Sequence, residues 1–157
     1  MCIRDSRVAV HERDGYAAMK ALLPPKIGDT RFARGLVLID PPYEAQLDEF
    51  DAAIHALRDA LGRWPQACYV LWYPIKLRRA LQPFYRRAAA LPAKSALVAE
   101  LLVRPDDSPL HMNGSGLLVL NAPYQLDVKL RPALQALVRV LGERQPQARL
   151  EWLKAAA

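Results

Sequence analysis

The chain has 157 residues, 52% apolar and 24% charged, with a formal net charge of +6 and a pI near 9.6. That length suffices for one domain with a sizeable core, and the balance of apolar and charged residues excludes an intrinsically disordered chain. No apolar run reaches bilayer length, no signal-peptide pattern opens the sequence, and two cysteines, Cys2 and Cys68, make neither a disulfide framework nor a metal quartet.

In chain order, strand and helix patterns alternate. Val8-Ala9-Val10 reads as a short strand, and Asp14-Gly15 turns it into a helix from Tyr16 to Leu23. Gly35 to Ile39 is an apolar run, as expected of a strand covered by helices on both faces. A helix follows over about 44–64, with Leu47, Phe50, Ile54, Leu57 and Leu61 at helical spacing. Cys68 to Tyr73 is the next strand, stopped by Pro74. Residues 76–90 read as a helix despite Pro83, 95–103 as a strand, 106–115 as a polar loop and 116–121 as a strand closed by Pro123. A helix over about 126–141 and a short strand over 149–152 complete the pattern. These elements predict an open, largely parallel α/β sheet, with one antiparallel edge strand after the polar loop.

The first six residues carry no pattern that leads into Val8, and no glycine-rich first turn of a doubly wound domain precedes Asp40. The expected organisation is a non-native leader over 1–6 and the C-terminal part of a single domain over 7–157. A minimal domain with a short N-terminus of its own is the alternative.

Asp40-Pro41-Pro42-Tyr43, directly after the apolar run, carries the chemistry. By its resemblance to the amino-methyltransferases it implies an exocyclic amine on a base as target, a poor nucleophile because its lone pair is delocalised into the ring. A carboxylate such as Asp40 and the carbonyl of Pro41 can accept both amine hydrogens and draw the nitrogen toward tetrahedral geometry. The prolines stiffen the turn, and Tyr43 offers a flat face for stacking. An apolar strand ending in this tetrapeptide resembles the amino-methyltransferases, which move a methyl group from S-adenosylmethionine to such a nitrogen. Alone, Asp14-Gly15 is a turn dipeptide. One strand before the tetrapeptide it becomes a candidate cofactor contact, since glycine lets the backbone come close. Trp72-Tyr73 either walls the base pocket or packs in the core. His11, His55 and His111 lie far apart without partners at ligand spacing, so no metal is expected. The basic clusters Lys76 to Arg79 and Arg86-Arg87 suit a polyanion, or are solvated helix faces.

Taken together, Val8 to Tyr16, Leu22 to Pro25, Gly35 to Glu44, Leu71 to Ile75 and Asn113 to Tyr124 occur in an order that resembles the bacterial 23S ribosomal RNA adenine-N6 methyltransferases. The resemblance implies a Rossmann-like S-adenosylmethionine-dependent fold, a flipped target adenine in 23S ribosomal RNA, and a monomer acting in the cytoplasm without membrane or metal. It makes Asp40, Pro41 and Tyr43 the catalytic positions and Asp14, Gly15 and Asp40 the cofactor contacts. Pro42, Tyr43, Trp72 and Tyr73 become the substrate contacts. The family's N-terminal half has no counterpart here, so weak cofactor binding and no turnover are expected of this chain alone. A DNA adenine-N6 methyltransferase uses the same tetrapeptide. A protein-glutamine methyltransferase matches less well, and a non-catalytic nucleic-acid-binding module on a decayed fold is the reading from a different class.

Overall fold

A computed structural model describes residues 8–43, 46–107 and 112–155. The expected leader over 1–6, Glu44 and His111 lie outside them. Helix α1 (Gly15–Leu22) leads into a small antiparallel hairpin, β1 (Lys26–Ile27) and β2 (Thr30–Arg31), that the sequence reading did not foresee. Its turn passes through Gly28 at φ +58, a conformation that glycine adopts without penalty. The main sheet contains β3 (Leu36–Ile39), β4 (Cys68–Ile75), β5 (Ala96–Leu102), β6 (Gly114–Leu120) and β7 (Gln147–Lys154), in the order β3-β4-β6-β5-β7.

Only β3 and β4 pair in parallel; β4 with β6, β5 with β6 and β5 with β7 are antiparallel. The expectation of a largely parallel sheet is corrected accordingly. Strands β3, β4 and β5 do run in one direction, as the alternating pattern implies. The polar loop after β5, however, sends β6 back between β4 and β5, so two of the three co-directional strands never touch. The strand expected over Val8 to Val10 reduces to a single bridge residue at Val8.

Helix α2 (Gln46–Arg63) buries Phe50, Ala53, Ile54, Leu57 and Leu61 at helical spacing against Tyr69, Leu71 and Tyr73 of β4. Pro74 does not stop β4. Asn113 N–H donates to the Ile75 carbonyl, so the Pro74 nitrogen points to the other side, where the β3 ladder has already ended at Leu71. The helix expected over 76–90 divides into a 3₁₀ turn at Arg78–Leu81 and α3 (Gln82–Ala89), which places Pro83 in a first turn, where its missing N–H costs nothing.

On the opposite face, α4 (Leu126–Leu141) lies over β5 and β7, with Trp152 Nε1 donating to Asp127. That helix buries none of its residues fully. At the base of the sheet, Asn121 ties three elements together. Its Oδ1 accepts Lys94 N–H at 2.8 Å, and its Nδ2 donates to the carbonyls of Pro65 and Ala67. β3 forms one edge of the sheet. Its inward residues pack on α2, but Leu36 and Leu38 on the other face are 68% and 65% exposed.

Candidate active site

β3 carries the chain to Ile39, the last residue paired with β4, and releases it into Asp40-Pro41-Pro42-Tyr43. The two prolines cannot donate to a further ladder and each fixes its own φ, so the segment leaves the sheet stiffly. Asp40 and Pro42 are exposed, while Pro41 and Tyr43 are buried. The segment sits at the carboxyl end of the parallel pair, where open α/β sheets hold ligands.

Helix α1 brings its N-terminus to the same place. Asp14 is its N-cap, with Oδ1 accepting Ala17 N–H at 2.7 Å, which satisfies a donor that the helix itself cannot. A cavity of about 260 Å³ is lined by Asp14, Gly15 and Tyr16 on one side and Asp40, Pro41 and Pro42 on the other; Met19, Leu38 and Ile39 form its apolar wall. A Cβ at Gly15 would meet no atom within 4 Å, so glycine leaves open space there rather than relieving a clash.

Tyr43 is held differently from the expected stacking platform. It is 7% exposed, with its ring 5.1 Å from that of Phe50 and edge-on to Trp72 at 5.8 Å. Its hydroxyl donates to the Trp72 carbonyl at 2.7 Å, and its backbone N–H donates to the Glu49 carboxylate. Tyr43 stands at φ +54, a left-handed conformation that costs an L-residue about 1–2 kcal/mol. Burial first, then the neighbouring Tyr16, Glu49 and Asp40, push its hydroxyl well above the ordinary phenol range. Burial, Glu49 and Asp14, in that order, raise Tyr16 as well. The Tyr16 hydroxyl is buried without a hydrogen-bond partner among the described residues.

Trp72 is half-buried beside Tyr43, next to the cavity segment. Tyr73 is not part of that wall. Side chains alternate along β4, so Tyr73 points to the α2 and α3 side, fully buried, and donates to Glu100 at 2.8 Å. The structure therefore assembles Asp14, Gly15, Asp40, Pro41 and Pro42, sets Tyr43 and Trp72 behind them, and withdraws Tyr73 to the core. His55 is exposed on α2, 3.9 Å from Asp59. Among the described residues no His, Cys, Asp and Glu cluster suits a metal, and no helix is long and apolar enough to cross a membrane.

Two acidic residues escaped the sequence reading. Glu49 carries no local signal, since its partner Tyr43 lies beyond the start of α2. Glu100 did carry one: a lone carboxylate inside the apolar run Ala96–Leu102. It is fully buried, accepts from Tyr73 and Tyr85, and pairs with Arg78 at 3.2 Å and Arg149 at 3.3 Å. The basic cluster at 76–79 thus divides: Arg78 is committed to Glu100, while Arg79 is exposed without an ion pair among the described residues.

These features define an α/β protein with a carboxylate-flanked cavity at the carboxyl end of its parallel strand pair. The family model described as "Ribosomal RNA large subunit methyltransferase D, RlmJ" matches residues 2–154, and the chain belongs to that family. It is 36% identical over 137 residues to the ribosomal RNA large subunit methyltransferase J of Haemophilus influenzae, covering 87% of this chain and 47% of that protein. To the protein of the same name from Escherichia coli it is 35% identical over 131 residues, covering 83% and 45%. The chain thus spans about half the length of the curated relatives it matches. The crystal structure of protein LPL1258 from Legionella pneumophila is similar with a TM-score of 0.76 at 28% identity, over 88% of this chain and 49% of that one.

Proposed function

We propose that this chain carries the amine-binding half of a methyltransferase that modifies the N6 nitrogen of an adenine in 23S ribosomal RNA, in the cytoplasm, with S-adenosylmethionine as methyl donor. The observation that carries the reading is the shared cavity. It brings Asp14 and Gly15 against Asp40-Pro41-Pro42, two segments separated in sequence and both singled out by their chemistry.

The lining suits a cationic nucleoside. Asp14 has one carboxylate oxygen engaged in its helix cap, which leaves the other for a ligand donor. Gly15 leaves room for close approach, and the apolar wall suits an adenine ring. When bound, the cofactor would supply an electrophilic methyl group on a positively charged sulfonium, to which the carboxylates of Asp14 and Asp40 are complementary. Asp40 and the Pro41 carbonyl accept the two hydrogens of the target amine and orient its lone pair. The methylated nitrogen is acidic enough to lose its proton readily, so Asp40 need not be a strong base. Pro42 supplies the apolar contact for the base, with Trp72 behind it, since the Tyr43 ring is already packed.

The cavity is open, and β3, an edge strand among the described residues, forms with its exposed Leu36 and Leu38 the apolar surface on which the rest of the enzyme would complete it. Asp40→Ala in the protein carrying this chain is expected to abolish methylation of protein-free 23S RNA while leaving RNA binding and melting temperature unchanged, because Asp40 is exposed. Methylation persisting in that variant would remove Asp40 from the reaction.

A further inference from the structure

The segment that presents Asp40 and Pro41 is fixed at both ends. At one end Ile39 is locked in register opposite Leu71. At the other, Tyr43 is pinned through its hydroxyl on Trp72, its ring against Phe50, and its backbone N–H on the Glu49 carboxylate. The N–H contact sets the orientation of the Pro42–Tyr43 peptide plane, and it does so at a residue in the left-handed region, where an L side chain relaxes away unless it is held. Glu49 stands in the first turn of α2, where the helix dipole favours a negative charge, and a carboxylate accepts such a bond more strongly than a neutral oxygen does.

We propose that Glu49 is a positioning residue for methyl transfer: by holding the Tyr43 peptide it keeps the Asp40 carboxylate and Pro41 carbonyl at the spacing that grips the two amine hydrogens. This rests on the methylation reading. Glu49 touches no reacting atom in this role; it acts through the rigidity of the segment. The negative charge of the same carboxylate also raises the buried Tyr16 hydroxyl of α1, after burial itself.

The test has two arms. In the 157-residue chain, amide hydrogen exchange at Tyr43 is measured by NMR in the parent, Glu49→Ala and Glu49→Gln. Exchange is expected to be at least about tenfold faster in Glu49→Ala and close to parental in Glu49→Gln, which keeps an acceptor, with β4 and β6 amides unchanged. In the protein carrying this chain, Glu49→Ala is expected to lower kcat for RNA methylation by about 10–100-fold and to change KM for the methyl donor by less than about threefold, with Glu49→Gln restoring most of the rate. Unchanged Tyr43 exchange in Glu49→Ala overturns the proposal, as does faster exchange with an unchanged kcat. Should the parent methylate no RNA, the methylation reading fails, and the exchange arm still decides whether Glu49 holds Tyr43.

Discussion

The Tyr73 hydroxyl reaches Glu100 at 2.8 Å across the whole width of β6, passing over the bare backbone of Gly116. Tyr73, Gly116, Glu100 and Arg149 are register partners on four adjacent strands, so one row of the sheet carries a buried carboxylate and its donors. Arg149 also lies 4.9 Å over the Tyr85 ring.

Removing Glu100 leaves Arg78 and Arg149 without their shared counter-ion. Glu100→Ala is expected to destabilise the chain by about 3–5 kcal/mol in urea unfolding. Gly116→Ala puts a methyl group into the Tyr73 ring and is expected to cost about 1–3 kcal/mol. A change below about 0.5 kcal/mol in either variant would show that the row does not hold the sheet together.

Asp14 combines a helix cap with a candidate ligand contact, and two substitutions separate them. Serine caps as well as aspartate does, whereas alanine loses about 1 kcal/mol of helix stability. Asp14→Ser is therefore expected to melt like the parent and to bind S-adenosylmethionine more weakly in calorimetry of the protein carrying this chain. Parental affinity in Asp14→Ser would confine the residue to its cap.

Arg78 and Arg79 are neighbours with opposite expectations. Arg79→Ala is expected to leave the fold intact and to lower the salt dependence of RNA binding by about one unit of the log–log slope. Arg78→Ala is expected to lower the melting temperature, because it uncovers Glu100. An unchanged slope in Arg79→Ala would place the RNA path elsewhere.

Alkaline pH should unfold the chain cooperatively. Tyr69 donates to the carbonyls of Ala60 and Trp64, and burial pushes its hydroxyl from 10.0 up to about 12. A phenol whose pKa rises on folding holds its proton more tightly in the folded state. Its contribution to stability is thus complete below pH 10 and is lost as pH climbs toward about 12. Tyr43, Tyr73 and Tyr85 are shifted in the same direction. Tyrosinate absorbance and circular dichroism are expected to change together in that window; buried phenols ionising while the dichroism stays native would contradict it.

The helices were legible because their signals are local. The spacing of Phe50, Ile54, Leu57 and Leu61 and the turn at Asp14-Gly15 act within one or two turns, and α4 falls where its pattern places it. Pro74 and Pro83 were misread for the same reason. In a strand, whether a proline interrupts depends on which side its missing N–H would have faced, and that is set by partners far along the chain. In a helix it depends on how near the helix start the proline falls, and α3 starts only after the 3₁₀ turn. The insertion of β6 between β4 and β5 is also invisible in sequence, since a strand direction looks the same whichever partner it takes.

By itself the sequence determined the alternation of strand and helix, the apolar strand that ends in Asp40-Pro41-Pro42-Tyr43, and the chemistry proposed for this segment. These follow from side-chain type, backbone stiffness and short-range spacing. Only the tertiary structure decided that Asp14 and Asp40 share one cavity, that Tyr43 is pinned by Glu49 rather than open to stack, and that Tyr73 belongs to Glu100. Each of those depends on hydrogen bonds and packing between elements remote in sequence, and no local pattern encodes them.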